Sequence, residues 1–184
     1  MADALVVIDI QNEYFPGGAI PLPDAEGAAG RAAEAIGAAR AAGLPVVHIR
    51  HEEPQSDQYF VPGSAGVQTN ETVAPSDGEP VIVKHHPNSF LDTDLAERLS
   101  ALGAKRVAFC GMMTSMCVDA TVRAAADLGL EPVLVDDACA APDLEHRGRR
   151  VPADEVHAAF CAALGDEIAT VLDTRNFTEK PGDA

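Results

Sequence analysis

The chain contains no tryptophan, and aromatic residues make up only 4% of its 184 positions. A base-stacking platform needs several exposed rings, which argues against single-stranded nucleic acid as a ligand. Cationic side chains are also scarce, with 13 Lys+Arg against 29 Asp+Glu and a formal net charge of −16. Such a surface repels phosphate backbones and anionic membrane faces, so neither nucleic acid nor a membrane is an expected partner. No apolar run approaches transmembrane length. The opening MADALVVIDIQ carries no cationic leader before Asp9, so the expected location is the cytoplasm. The 4 cysteines are Cys110, Cys117, Cys139 and Cys161, with no CxxC pair among them. In a cytosolic chain with its own core they are expected as reduced thiols, and they are too scattered for a zinc cluster.

What the sequence does have is a 47% hydrophobic composition, enough for one compact domain over residues 1–184. Residues 1–3 and 176–184 are expected to be frayed ends. Short apolar runs alternate with helical stretches throughout. Strands are predicted at 4–10, 44–50, 79–84, 105–111, 131–139 and 167–173, and helices at 25–42, 94–102, 115–129 and 153–164. Residues 51–80 show no period and read as a long loop, a feature usually functional or mobile. The cluster DLEHRGRR (143–150) reads as a solvated loop at a subunit contact or an open edge. This alternation implies an α/β fold, a three-layer α/β/α sandwich around a six-stranded, mainly parallel, Rossmann-like sheet. In such sheets ligands bind beyond the carboxyl ends of the strands.

Three residues stand at those ends. Asp9 closes the first predicted strand, Lys84 closes the third, and Cys117 follows the fourth in the first turn of a helix capped by Thr114 or Ser115. Alone, each has an ordinary explanation: a turn acid, a surface lysine, a small buried hydrophobe. Together they form a chemical set. The helix start and Lys84 favour thiolate, Asp9 can take the thiol proton and return it to a leaving amine, and the backbone N–H groups of Met113 and Cys117 can hold an oxyanion.

Four segments carrying these residues resemble the isochorismatase-like cysteine hydrolases, a group that includes nicotinamidases and N-carbamoyl amide hydrolases. They are VVIDIQNEYF (6–15), VIVKHHPNSFLDTDLAERL (81–99), VAFCGMMTSMCVDATVRAAADLGL (107–130) and VLVDDACAA (133–141). The resemblance implies Asp9 as general base and acid, Lys84 as the cation that activates the thiol, and Cys117 as the nucleophile. It also implies a non-proline cis peptide at Met112–Met113 that aims the Met113 N–H into the oxyanion hole. The implied activity is hydrolysis of an amide, lactam or carbamoyl C–N bond in a small molecule through a thioester, with no cofactor, by a homo-oligomer.

Metal-binding nicotinamidases carry an Asp-x-His element after the second strand, where this chain has HIRHEEPQSD (48–57). A metal set of His48, His51 and Glu53 is conceivable, but a strand turns His48 and His51 to opposite faces, and no metal is expected. Candidate substrate contacts are Gln11, Phe15, His51, Phe60, Asn88, Phe90 and Met112. Gln11 is suited to orient a substrate or to hold the loop. Asn88 and Phe90 could line a pocket or turn the chain. A metal-assisted nicotinamidase and a catalytically silent binding module on the same fold are the rival readings.

Overall fold

The computed structural model describes residues 2–179. In chain order the elements are β1 (Ala4–Ile8), α1 (Ala25–Ala41), β2 (Val46–His51), β3 (Val81–Lys84), α2 (Leu95–Ala101), β4 (Arg106–Met112), α3 (Asp119–Asp127), β5 (Glu131–Ala140), β6 (Leu144–His146), β7 (Arg149–Val151), α4 (Ala153–Glu167), β8 (Thr170–Leu172) and α5 (Thr174–Glu179). The main sheet has six strands in the order β3-β2-β1-β4-β5-β8, and every pairing is parallel. Helices cover both faces.

β1 lies between β2 and β4, and all of its residues are buried. That is why it reads as an unbroken apolar run rather than an alternating one. α1 packs through Ala25, Ala28, Ala29, Ala32, Ala35, Ile36 and Ala39. These fall at three- and four-residue spacings, one helical stripe, and their small size brings the helix close to the sheet. Gly43, at φ 72, lies past its end, where a left-handed residue costs glycine little.

Three expectations are corrected. The first strand stops at Ile8 rather than residue 10, because Asp9 adopts φ 50 and turns out of the ladder. The segment 143–150 contains a two-stranded antiparallel hairpin, β6–β7, with Arg147 and Gly148 at positive φ in its turn. Arg-Gly is not among the usual hairpin-turn pairs, and both strands are solvated, so neither period nor turn chemistry announced it. The ends are anchored at residues 2–3 and 176–179, both expected to fray. Ala2 is buried, and the Asp3 carboxylate accepts from the Lys105 and Arg106 amides at 2.8 Å each. Residues 174–179 form α5, which buries Phe177, while Asp137 accepts from Thr174 N at 2.7 Å and Thr174 Oγ1 at 2.6 Å. Residues 1 and 180–184 lie outside the described residues.

Glu79 ties the approach to β3 to its surroundings. It accepts from Arg40 Nε and Nη2 at 2.8 and 2.7 Å and from Ser76 N at 2.8 Å, and it lies 3.0 Å from His48 Nε2. The Arg40 hydrogen bonds outweigh partial burial and pull its carboxyl down from 4.5 to about 2. A depressed carboxyl stabilises the fold above its unfolded pKa and loses that contribution as pH falls through the folded value. Glu79→Gln should therefore lower the denaturation midpoint near neutral pH. The gap from wild type should close as pH falls from 4.5 toward about 2, as urea titrations across that window would show.

Candidate active site

Asp9, Lys84 and Cys117 meet at the carboxyl rim. β1 and β3 are separated by β2, so a side chain must span two strand spacings, roughly 10 Å, to link them. Lysine and aspartate together have that reach. Lys84 Nζ lies 2.7 Å from Asp9 Oδ2 and 3.3 Å from Cys117 Sγ. Asp9 is 0%, Lys84 1% and Cys117 4% exposed. Ser89 N and Oγ reach Thr121 Oγ1 at 3.0 and 2.8 Å, fastening the segment after Lys84 to α3.

The backbone that presents Cys117 differs from a plain helix start. Thr114–Val118 form a wide π turn, and α3 begins only at Asp119. Neither Thr114 nor Ser115 acts as the expected cap. The cap position is Met113, with no side-chain hydrogen bond, and Thr114 Oγ1 instead meets His157 Nδ1 at 3.0 Å. The Met112–Met113 peptide is cis, as the resemblance implied. The Met113 N–H has no backbone acceptor among the described residues. Gly111, at φ 133, allows no side chain, since a Cβ there would sit 1.9 Å from the Ile8 carbonyl oxygen.

The electrostatics correct one expectation. Burial first, and the Asp9 charge second, push the Cys117 thiol up to about 12, while Lys84 pulls it down without prevailing. Burial and the Asp9 charge thus favour the thiol form of Cys117 over the thiolate. Burial alone would lower the Lys84 pKa, but the Asp9 charge, with Cys117 beside it, outweighs burial and raises it, so the amine stays an ammonium. Asp9 Oδ2, at 2.7 Å, makes a buried ion pair with that ammonium.

The other candidates separate clearly. Gln11 holds the loop: its Nε2 donates to the His51 and Val67 carbonyls at 2.9 and 2.7 Å, and its Oε1 accepts from His51 N at 2.8 Å. That fills both donors of the amide, so a substrate-orienting role has no donor left. Met112 is fully buried in the core, so its side chain is no pocket wall. Asn88 Oδ1 accepts from Phe90 N at 2.9 Å, a turn contact, and Phe90 is half-buried. Phe15 and Phe60 are buried, with Phe60 edge-on to both Tyr14 and His51 at 5.3 and 5.2 Å.

The set His48, His51 and Glu53 does not converge. His48 Nε2 is taken by Glu79, whereas His51 Nδ1 lies 3.1 Å from Lys84 Nζ. Donor atoms of Asp9, His51 and Cys117 do lie within 4.8 Å of one another. The Lys84 ammonium, though, stands among them at 2.7, 3.1 and 3.3 Å and occupies the place an ion would take.

Two residues escaped the sequence reading. Tyr14 is buried beside the site, and burial, followed by its neighbours Cys117 and Asp9, raises its phenol well above 10. Glu13 accepts from Ala19 N and Phe60 N at 3.0 and 3.1 Å and so shapes the 51–80 loop. Both sit in the short Asn12–Tyr14 helical turn, which has no period to read. A cavity of about 560 Å³ bordered by Val46, Val47, Pro80 and Leu102 lies at the amino ends of β2 and β3, the rim away from Cys117. It carries none of this chemistry.

Against known proteins, the Isochorismatase domain matches residues 3–175. The chain belongs to the isochorismatase family. The isochorismatase family protein YddQ of Bacillus subtilis is 47% identical over 96% of this chain and 99% of its own length. An isochorismatase-family hydrolase from Oleispira antarctica superposes with a TM-score of 0.93 at 44% identity, covering 97% of this chain and 96% of that one. N-carbamoylsarcosine amidase from Thermoplasma acidophilum gives a TM-score of 0.81 at 26% identity, with 95% and 97% covered. Members of the family are hydrolases, some of them acting on amide C–N bonds.

Two outcomes follow. Gly111→Ala should cost at least about 2 kcal/mol, because backbone and not a flexible side chain stands in the way of the new methyl; chemical denaturation would read it. Cys117 should alkylate slowly near pH 6, faster in Asp9→Asn, which removes the charge opposing the thiolate, and more slowly in Lys84→Ala. Iodoacetamide labelling followed by mass spectrometry would rank the three.

Proposed function

We propose that this protein is a cysteine hydrolase that cleaves an amide, lactam or carbamoyl C–N bond of a small molecule through a thioester. The observation that carries this reading is the buried cluster in which Lys84 Nζ stands 2.7 Å from Asp9 and 3.3 Å from Cys117 Sγ.

The chemistry follows from the charges. Because burial favours the protonated thiol, attack requires its proton to leave, and the Asp9 carboxylate is the acceptor. Lys84 stabilises the sulfur anion as it forms. Sγ bonds to the carbonyl carbon, and the C=O electron pair moves onto oxygen, which the Met113 and Cys117 N–H groups receive. The C–N bond then breaks as Asp9 returns its proton to the leaving nitrogen, leaving a thioester on Cys117. Water attacks with Asp9 as base, the acid departs, and the proton returns to Sγ.

The family likeness to an N-carbamoyl amidase supports a C–N bond as the target. The intact Asp9, Lys84 and Cys117 set speaks against a silent binding module, and the diverging His48 and His51 speak against the metal-assisted alternative. A panel of primary amides, lactams and carbamoyl compounds, read by ammonia or amine release, tests the reading. Turnover of at least one member should fall by at least about a thousandfold in Cys117→Ala. Undiminished turnover in that variant would refute the mechanism.

A further inference from the structure

The π turn that presents Cys117 is held from two directions. On one side Cys117 Sγ faces the Asp9–Lys84 pair, 3.3 Å from Lys84 Nζ. On the other, Thr114 Oγ1 meets His157 Nδ1 of α4 at 3.0 Å. Among the described residues, no other side chain outside the catalytic set hydrogen-bonds to Thr114–Val118. The backbone of the turn is loosely tied in itself, since Met116 N and Val118 N share the Met113 carbonyl at 3.0 and 3.2 Å. A turn that wide has poorer hydrogen-bond geometry than an α-helix and needs support from outside.

We propose that His157 is a positioning residue for this turn. By holding the Thr114 hydroxyl it fixes the Met113 N–H and Cys117 Sγ relative to each other. This rests on the hydrolase reading above and adds to it a residue that acts through Thr114.

The placement of both partners fits the task. Thr114 follows Met113 directly and precedes Cys117 by three residues, so its side chain stands between the oxyanion donor and the nucleophile along the chain. It is fully buried, and a buried hydroxyl stripped of its partner is costly, which makes the turn shift if the imidazole is lost. The contact works with either ring nitrogen protonated, because a hydroxyl both donates and accepts. On α4, His157 stands one and two turns before the buried Cys161 and Leu164, on the stripe that packs inward. Cys161 Sγ lies 3.5 Å from His157 Nε2 and steadies the far edge of the ring. The start of α4 is itself tied down, with Asp143 Oδ1 accepting from Ala153 N at 2.9 Å.

The oxyanion contact forms only as the transition state does, so a displaced Met113 N–H should lower kcat and leave KM nearly alone. The test compares wild type, His157→Ala, His157→Asn, Thr114→Val and the His157→Ala/Thr114→Val double variant, each checked for folding by circular dichroism. Hydrogen–deuterium exchange of the peptide spanning residues 112–119 reads the turn without any substrate. Exchange there should quicken about tenfold in His157→Ala, the factor for one lost hydrogen bond. On an amide that wild type turns over, kcat should fall by about tenfold to a hundredfold, with KM within about threefold. Thr114→Val should reproduce both effects, and the double variant should add nothing, because the two residues act as one contact. His157→Asn, which keeps a donor and an acceptor near the place of Nδ1, should restore both within about threefold of wild type.

Unchanged exchange in the turn, an undiminished kcat in His157→Ala, or a further loss in the double variant would each overturn the proposal and leave the hydrolase reading in place. So would a loss in His157→Ala that Thr114→Val does not share, which is the mark of a role in packing α4 alone. Undiminished turnover in Cys117→Ala would overturn both.

Discussion

The site depends on a buried ion pair whose two halves come from strands that do not touch. Removing a carboxylate and an ammonium from water is costly, and their attraction repays it only when geometry and further hydrogen bonds are good. Here Lys84 Nζ is surrounded by Asp9 Oδ2 at 2.7 Å, the His86 carbonyl at 3.0 Å, His51 Nδ1 at 3.1 Å and Cys117 Sγ at 3.3 Å. A carboxylate held by that ammonium beside a thiol is a proton acceptor in place.

Much of the surrounding fold reads as support for that arrangement. Asp9 takes a left-handed conformation at the end of a wholly buried strand, which turns its carboxylate off the ladder and toward the rim. Gly111 lets β4 pass against the Ile8 carbonyl where no side chain would fit. Ser89 and Thr121 join the segment after Lys84 to the helix that follows Cys117. The loop at 51–80 has little secondary structure, yet it is laced down by Gln11, Glu13 and Asn12, all within four residues of Asp9. The segment that follows β1 and supplies the acid thus also supplies the residues that hold this loop.

Fold and principal site were legible because both follow from position along strands. Continuous apolar runs located β1, β4 and β5, and the polar residues that ended two strands and followed a third pointed to one rim. What the sequence did not disclose depends on direction or environment. The expectation that Lys84 would make Cys117 a thiolate weighed the nearby cation but not the burial of the sulfur or the Asp9 charge, and these prevail. Tyr14 and Glu13 lie in a three-residue helical turn, and the β6–β7 hairpin is short and solvated, so no periodicity marks them. Phe177 looked like part of a polar tail because its packing partners are distant in sequence.

The most direct test of the central claim is intact-mass spectrometry of the protein quenched in acid during turnover of an amide identified as a substrate. The account predicts a mass increase equal to the acyl portion of that amide, mapping to Cys117, absent from Cys117→Ala and discharged by water as the substrate runs out. Steady turnover with no adduct, retained in Cys117→Ala, would contradict it, because the C–N bond would then be cleaved without the sulfur.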